Sequence, residues 1–568
     1  MTELASSVDQ VPLDELEVLV VDCQATGASP THGSLLELGW LRTRAEEDDE
    51  LVEPTSLLVQ LPEGARLPRP VARITGIRRK DLEDATSEPV VWASLLAEAA
   101  QMSPEIGERV PTVIHYARFE QSFFSHLQGR YAPEIELPFD VVCTHAIARR
   151  LLPELPRRGL RALAGYYGFD VELLRRSAGH VAATAHVWRH VVPALAERGV
   201  TTWGALQEWL DNTRAPTSKR RYPMDRSKRL GLPDKPGVYK MLRTSGDVLY
   251  VGKATSLKKR VNSYFTKHKG VNERALEMLS QARDLEVEPT ETALEAALLE
   301  TDAIKAYRPP YNVHLLEEQR DVWFMSRDLR DVATTPDDHH ALGPLPSRRS
   351  MSGVRAIVDE VMEIDEGRDW RAARALGAAP SFAPERAVFT EGFARYRRQW
   401  LVEGGDPLQS VMALSKRLWS LHLAGELELD GDPDDEDKRW DPERVARHLL
   451  RVTLFAGQLL RRSRWLVLLN DASVAWRELD GGDERRLLVV DNGEIVRRGH
   501  LDAGEALPPP VARPRAAILS GFDIARYDRL RVLSTELKRV MHQSGAAAVR
   551  LPRGLLFGQA LAGVLDVV

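Results

Sequence analysis

Cysteine is almost missing from this chain: Cys23 and Cys143 are the only two in 568 residues. Two thiols that far apart support neither a disulfide framework nor a cysteine-based zinc site. No apolar run approaches the roughly 20 residues of a membrane span. Met1-Thr2-Glu3-Leu4 lacks the basic-then-apolar pattern of a secretory leader. The C-terminal half contains no zinc, Walker or dinucleotide motif, and no internal repeat is evident. These absences lead to the expectation of a cytoplasmic protein without a membrane partner. A 43% apolar and 28% charged composition is that of a soluble folded chain. At roughly 150 residues per domain, the length calls for three or four units.

The net charge of −6 hides a local excess of the opposite sign. Between Arg214 and Lys269 lie sixteen Lys/Arg and only three acidic residues, Asp225, Asp234 and Asp247. Such a stretch draws in a phosphate backbone whatever the overall balance. The acidic runs Glu46 to Glu50 and Asp430 to Asp437 read as solvated loops.

Patterning divides the chain further. The apolar run Leu16 to Val21 predicts a buried strand, with Leu35 to Leu41 as its neighbour and Val110 to Ile114 as another strand. Helical spacing recurs over Phe119 to Leu127, Cys143 to Leu152, Leu160 to Tyr167 and Ala182 to Leu195. An α/β domain is therefore expected over 12–205, and a basic, proline-punctuated linker over 206–232. Residues 233–315 read as a compact α/β unit: two strands, a helix from about Ser256, a strand near Leu285 to Pro289, and a helix from Thr290 to Ala306. Residues 316–354 form a connecting segment, with a loop at Pro344 to Arg349. The remainder, 355–568, reads as mainly helical and then α+β. There 355–375, 383–424, Trp440 to Leu460 and Arg526 to His542 are expected as helices, and Trp465 to Trp476 and Arg486 to Ile495 as strands. The tryptophans of this half, among them Trp419, Trp440, Trp465 and Trp476, are taken as core.

Pro236-Gly237-Val238-Tyr239 followed by Tyr250-Val251-Gly252-Lys253 is the most informative pattern. Hydrolysis of a phosphodiester needs an activated water, a partner for the phosphate charge and help for the leaving oxygen. Two strands offering Tyr239 and Tyr250 to one pocket supply phenols. Phenols ionise near pH 10, so a basic neighbour such as Lys253 or Arg260 is needed to favour a phenolate. A guanidinium also suits bidentate phosphate binding. Glu300, after the apolar run Ala296 to Leu299, is a single carboxylate of the kind that Mg²⁺ accepts while keeping its waters.

These elements, with Leu249 to Phe265, Glu295 to Val313 and the Tyr311-Asn312 pair, resemble the GIY-YIG domain of the UvrC excision-repair endonuclease and its shorter relative Cho. Gly343-Pro344-Leu345-Pro346-Ser347 resembles the segment that follows it in that family. The resemblance implies incision 3′ to a lesion in double-stranded DNA, with one Mg²⁺ or Mn²⁺ ion and UvrB or UvrA–UvrB as loading partners. It also implies a bacterial, nucleoid-associated protein. By the same resemblance Tyr250 is the base, Arg260 the phosphate ligand and Glu300 the metal ligand. Tyr239, Lys253, Tyr264 and Asn312 complete the site, and Lys258, Lys259 and Lys267 extend the DNA contact. Helix-hairpin-helix motifs, a UvrB-binding hairpin and a second, ribonuclease-H-like nuclease are not recognisable, which favours a Cho-like single incision.

Residues 16–198 resemble the DEDDh exonucleases, the proofreading family, which have a ribonuclease-H-like fold. The similarity rests on Asp22-Cys23-Gln24-Ala25-Thr26-Gly27, Ile74-Thr75-Gly76-Ile77, His115 to Glu120 and His180 to His186. The family's acidic ligands are only partly kept: Asp22 stands, but Gln24, Glu120 and Ala185 replace the others, while His180 occupies the position of the general base. Two cations about 4 Å apart need several carboxylates, so the expectation is an inactive module used for binding. Asp140 is read as a helix start and Glu37 as a cap or a solvated residue. A bifunctional endonuclease and 3′–5′ exonuclease is the alternative enzyme reading. A non-catalytic DNA-binding scaffold is the alternative from another class.

Overall fold

The structure, a computed structural model, describes residues 7–46, 53–103, 109–170, 174–217, 220–266, 272–312, 321–362, 385–398, 406–426, 440–477, 485–502, 504–544 and 546–567. Contacts divide the chain into two compact units, residues 1–289 with 309–312 and residues 290–308 with 313–568.

The first unit begins with strands β1 (Val18–Ala25), β2 (Leu35–Thr43) and β3 (Thr55–Leu58). Helices α1 (Arg69–Thr75) and α2 (Glu88–Met102), strand β4 (Val110–Ile114), helix α3 (Arg118–Tyr131) and strand β5 (Phe139–Cys143) follow. Then come α4 (Thr144–Leu151), α5 (Leu160–Tyr166), α6 (Ser177–Ala196) and α7 (Trp203–Asn212). The sheet order is β3-β2-β1-β4-β5, with β1 antiparallel to β2 and parallel to β4. Alternation along β1 builds two cores at once. Val18 and Val20 pack with Ile147, Leu163 and Trp188, while Leu19, Val21 and Cys23 pack with Trp92, Leu95 and Phe124. A strand buried on both faces is why Val18 to Val21 is unbroken apolar sequence.

A short helix α8 (Ser227–Leu230) leads into β6 (Gly237–Leu242), β7 (Val248–Ala254), α9 (Leu257–Thr266), α10 (Glu273–Gln281) and β8 (Asp284–Pro289). The three strands form an antiparallel sheet ordered β7-β6-β8. Tyr239 and Met241 of β6 pack with Leu257 and Val261 of α9 and Met278 and Leu279 of α10.

The second unit starts with α11 (Ala293–Tyr307), opened by a capping box in which Thr292 and Glu295 satisfy each other's backbone N–H. Strands β9 (Trp323–Met325), β10 (Val332–Ala333) and β11 (Leu342–Leu345) form a small sheet. Helices α12 (Ser352–Met362), α13 (Arg386–Arg397), α14 (Pro407–Leu423) and α15 (Pro442–Leu469) follow. Last come β12 (Ala472–Trp476), β13 (Arg485–Asp491), β14 (Glu494–Leu501), α16 (Arg515–Ser520), α17 (Ile524–Ser544), β15 (Ala547–Leu551), β16 (Gly554–Phe557) and α18 (Gly558–Val567). Leu294 and Leu298 of α11 share a core with Trp465, Trp476, Leu530 and Leu537. Lys305 and Asp302 of α11 pair with Asp528 and Arg529 of α17 at 2.8 and 3.1 Å.

This sheet runs β14-β13-β12-β15-β16, the same pattern of sequence order as the N-terminal sheet. Here, however, β12 pairs antiparallel with β15, whereas β1 pairs parallel with β4.

Several expectations are corrected. Trp465 lies in α15, not in a strand, and the strand begins only at Ala472. Arg486 to Ile495 is two strands, β13 and β14, joined by a tight turn at Asn492-Gly493, both with positive φ. Pro344 and Leu345 belong to β11 rather than to a loop. Asp140 sits in β5, where its Oδ2 accepts from Trp203 Nε1 at 2.7 Å and Gln207 Nε2 at 2.6 Å. The acidic run Asp430 to Asp437, Lys267, and all but the first residue of Glu46 to Glu50 lie outside the described residues.

Candidate active sites

Antiparallel pairing of β6 with β7 sets Tyr239 opposite Gly252. A Cβ at Gly252 would lie 2.5 Å from the Tyr239 hydroxyl and 2.8 Å from the Tyr250 ring. The glycine therefore lets one phenol lie across the neighbouring strand. Tyr239, Tyr250 and Tyr264 surround one point, with ring centroids 6.0, 6.2 and 6.5 Å apart. The Tyr239 and Tyr264 hydroxyls are 3.0 Å apart. Arg260, one helical turn before Tyr264, donates to its hydroxyl at 3.2 Å and rests 4.9 Å from its ring centroid.

Burial, and then the neighbouring phenols Tyr264 and Tyr250, push the Tyr239 hydroxyl far above the ordinary tyrosine range. Tyr239 is thus a neutral phenol, and the lowering by its basic neighbour Arg260 is outweighed there. Burial alone would lower the Arg260 guanidinium, but the surrounding phenol oxygens outweigh it and the cation is held more firmly. Tyr250 is half-buried at the edge of this cluster.

Asn312 plays a supporting part. Its Oδ1 accepts from Val251 N–H and its Nδ2 donates to Val251 C=O, both at 2.9 Å. The side chain thereby fixes the strand residue between Tyr250 and Gly252. Lys253, Lys258 and Lys259 are exposed, and Lys259 stands 3.8 Å from Asp234. Glu300 is half-buried on α11, which belongs to the second unit. No histidine or cysteine occurs in β6, β7, α9 or α11. The available donors are oxygens, the set that suits Mg²⁺ or Mn²⁺.

The N-terminal module gathers Asp22, Gln24 and His180. Gln24 Nε2 donates to Asp22 Oδ2 at 3.3 Å and stands 3.1 Å from His180 Nδ1, which is 3.2 Å from Asp22 Oδ1. Burial lowers the His180 imidazole, but the charge and hydrogen bond of Asp22 more than compensate and raise its pKa. Glu120 is 4% exposed, and burial followed by the Asp22 charge raises its carboxyl to about 9. Ala185 is fully buried in the apolar core with Leu163 and Trp188. Among the described residues no three His, Cys, Asp or Glu side chains converge as a metal cage.

Of the two readings of Glu37, cap or solvated residue, the structure bears out the cap: it is fully buried, binds Arg176 through Nε and Nη2 at 2.7–3.1 Å and accepts from Ser177 N–H at the start of α6, the helix that carries His180. Tyr116, at φ 64°, stacks on His145 at 4.1 Å beside the buried His115. A tyrosine in left-handed backbone is uncommon, and nothing in its local sequence announces the conformation.

Comparison with known proteins follows this division. Residues 19–182 match the Exonuclease family model and residues 235–313 the UvrC-like GIY-YIG domain model. UvrABC system protein C of Legionella pneumophila is 39% identical over 147 residues, covering 24% of each chain. A protein of Mycobacterium tuberculosis, provisionally named bifunctional exonuclease/endonuclease, is 27% identical over 369 residues, covering 62% of this chain and 53% of its own. The magnesium-bound GIY-YIG N-terminal endonuclease domain of UvrC from Thermotoga maritima is 38% identical and covers 16% of this chain and 94% of that domain, with a TM-score of 0.14. The chain thus spans about a quarter of the Legionella relative and about half of the mycobacterial one. Two nuclease-family domains stand in tandem: an exonuclease domain, then a UvrC-like GIY-YIG domain. No described helix is long and apolar enough to cross a membrane.

Proposed function

We propose that the chain is a DNA endonuclease of the UvrC/Cho type. It would incise one strand 3′ to a lesion in nucleotide excision repair, in the bacterial cytoplasm and near the nucleoid. The observation that carries this reading is the cluster of Tyr239, Tyr250 and Tyr264 with Arg260 pinned on its rim. Arg260, its charge held firmly, binds the scissile phosphate. Tyr239 stays protonated and orders Tyr264 through their shared hydrogen bond, leaving Tyr250, as its phenolate, to take a proton from the attacking water and become the neutral phenol. Glu300 would hold a single Mg²⁺ or Mn²⁺ ion, which would supply positive charge at the phosphate. Asn312 keeps the strand in place, and Lys253, Lys258, Lys259 and Lys267 draw in the duplex. UvrB, alone or with UvrA, is the partner that this family resemblance suggests.

The exonuclease-like domain is read as non-hydrolytic. Gln24 occupies a ligand position with an amide that donates to Asp22 and stands beside His180, and Ala185 has become part of the core. The donor set does not fit two cations. Active hydrolysis at both sites remains the second reading, favoured by the name and tandem match of the mycobacterial relative.

Cleavage of a labelled duplex carrying one bulky lesion, with Mg²⁺ or Mn²⁺ and with or without UvrA and UvrB, separates these readings. A single nick 3′ to the lesion, lost in Glu300→Ala and kept in Asp22→Ala, supports the first. A shortening ladder that disappears in Asp22→Ala supports the second. Binding without cleavage under every condition moves the weight to the scaffold.

A further inference from the structure

Helix α5 of the exonuclease domain lies against helix α10 of the GIY-YIG domain, within the first compact unit. At the centre of this contact is Gly165. A Cβ there would fall 1.9 Å from Gln281 Oε1 and 2.4 Å from Gln281 Cδ. The glycine therefore serves close approach, since its backbone has no positive φ. The rim is closed by Arg157 N–H donating to Ser280 Oγ at 3.0 Å, an Arg157–Glu273 ion pair, and Arg283 over the Tyr166 ring at 4.3 Å.

Gln281, 1% exposed, is fully engaged. Its Oε1 accepts from Arg243 at 3.1 Å, and its Nε2 donates to the Tyr311 hydroxyl and to Glu277 C=O. The Tyr311 hydroxyl donates in turn to Glu277 Oε1 at 2.7 Å, and its backbone N–H donates to Leu249 C=O at 3.1 Å. The next residue, Asn312, clamps Val251. Tyr250 lies between Leu249 and Val251, so both of its flanking peptides are held by this segment.

We propose that the exonuclease domain is a positioning element of the endonuclease site, acting from α5 through Gln281 and Tyr311 onto strand β7. The role needs no metal and no hydrolysis, so it holds under either reading of the Asp22 site. Gln281 and Tyr311 are positioning residues, and Gly165 is the point at which one domain reaches the other. The consequence for nicking rests on the endonuclease reading above, whereas the mechanical link does not.

The test uses the full chain. Gly165→Leu should slow nicking at saturating DNA by about ten-fold or more, because small displacements of reacting groups are costly, while KM stays within about two-fold. Tyr311→Phe should act in the same direction. Combining Gly165→Leu with Gln281→Ala should be no slower than Gln281→Ala alone, since both act through one side chain. Amide exchange of residues 248–254 should quicken in Gly165→Leu and not in the control Gly129→Ala, whose added methyl meets nothing. If Gly165→Leu fails to fold, Gly165→Ala replaces it. Unchanged exchange of 248–254, additive effects, or a loss carried wholly in KM would overturn the proposal. A wild type that never nicks defeats the endonuclease reading alone, and exchange still decides the link.

Discussion

Around Tyr239 the candidate working groups are held by packing, whereas around Asp22 the family chemistry depends on summed charge. The tyrosine cluster is organised by Gly252 beneath the Tyr239 ring, by the Arg260–Tyr264 contact and by the Asn312 clamp. Each part can be ordered without an ion. The carboxylate site, by contrast, works only if several negative groups offset two cations. Where the family has further carboxylates, this chain has Gln24, whose amide donates to Asp22, and Ala185, which is buried in the apolar core. A site built by shape fails by degrees, while one built on charge fails once its donors fall below the number that the ions require.

The largest test of that contrast is charge removal at each site. Arg260→Ala should reduce nicking by about 10²–10³-fold, while Asp22→Asn leaves the nicking rate within two-fold, both read from initial rates on one labelled duplex. A parallel fall in both variants would mean that the two sites depend on charge alike. Next comes shape: Gly252→Ala forces the Tyr239 ring to move, and nicking should fall by about 10²-fold, with thermal unfolding showing a cost of about 1–3 kcal/mol. Asn312→Ala strips two hydrogen bonds from Val251 and should cost on the order of 1–3 kcal/mol in denaturant unfolding.

The smallest effect is expected in the N-terminal module and depends on pH. The Glu120 carboxyl is raised to about 9 in the folded state from an ordinary value of 4.5, chiefly by burial. The folded form then holds a proton that the unfolded form releases, so stability declines as pH rises through that window. Glu120→Gln should therefore raise the unfolding temperature, slightly at pH 5 and by several degrees at pH 8. An equal shift at both values would mean that the carboxyl is not held protonated.

The tyrosine cluster was legible in the sequence because its parts are local: two paired strands and the next helix bring Tyr239, Tyr250, Arg260 and Tyr264 together. The three central strands around Asp22 were legible for a related reason, since Val18 to Val21 is apolar throughout. Other features depend on partners far away in sequence. Glu37 reads as either a cap or a solvated residue until Arg176, 139 positions later, decides between them, and Gln281 looks ordinary until Gly165 lies over it. Trp465 was misread because the run Trp465 to Leu469 is apolar at every position, and periodicity cannot distinguish a buried helix from a strand there. Helix α10 went unread although its Leu276, Leu279 and Met278 are buried, because it occupies barely two and a half turns.

The reversed pair in the C-terminal sheet has a bearing on how many reactive centres this architecture can hold. Where β1 and β4 run the same way, the chain leaves both strands at one rim, and the segments carrying Asp22 and His115 emerge side by side. Between β12 and β15, Trp476 at the end of one strand faces Ala547 at the start of the other. The segments that leave the two strands are sent to opposite rims, and it is the exit of β12 that lies beside the entry of β15, where Arg477 N–H donates to Ala546 C=O at 3.0 Å. Acids planted at the two C-terminal tips would stand at opposite rims, however closely the order of strands imitates the N-terminal one.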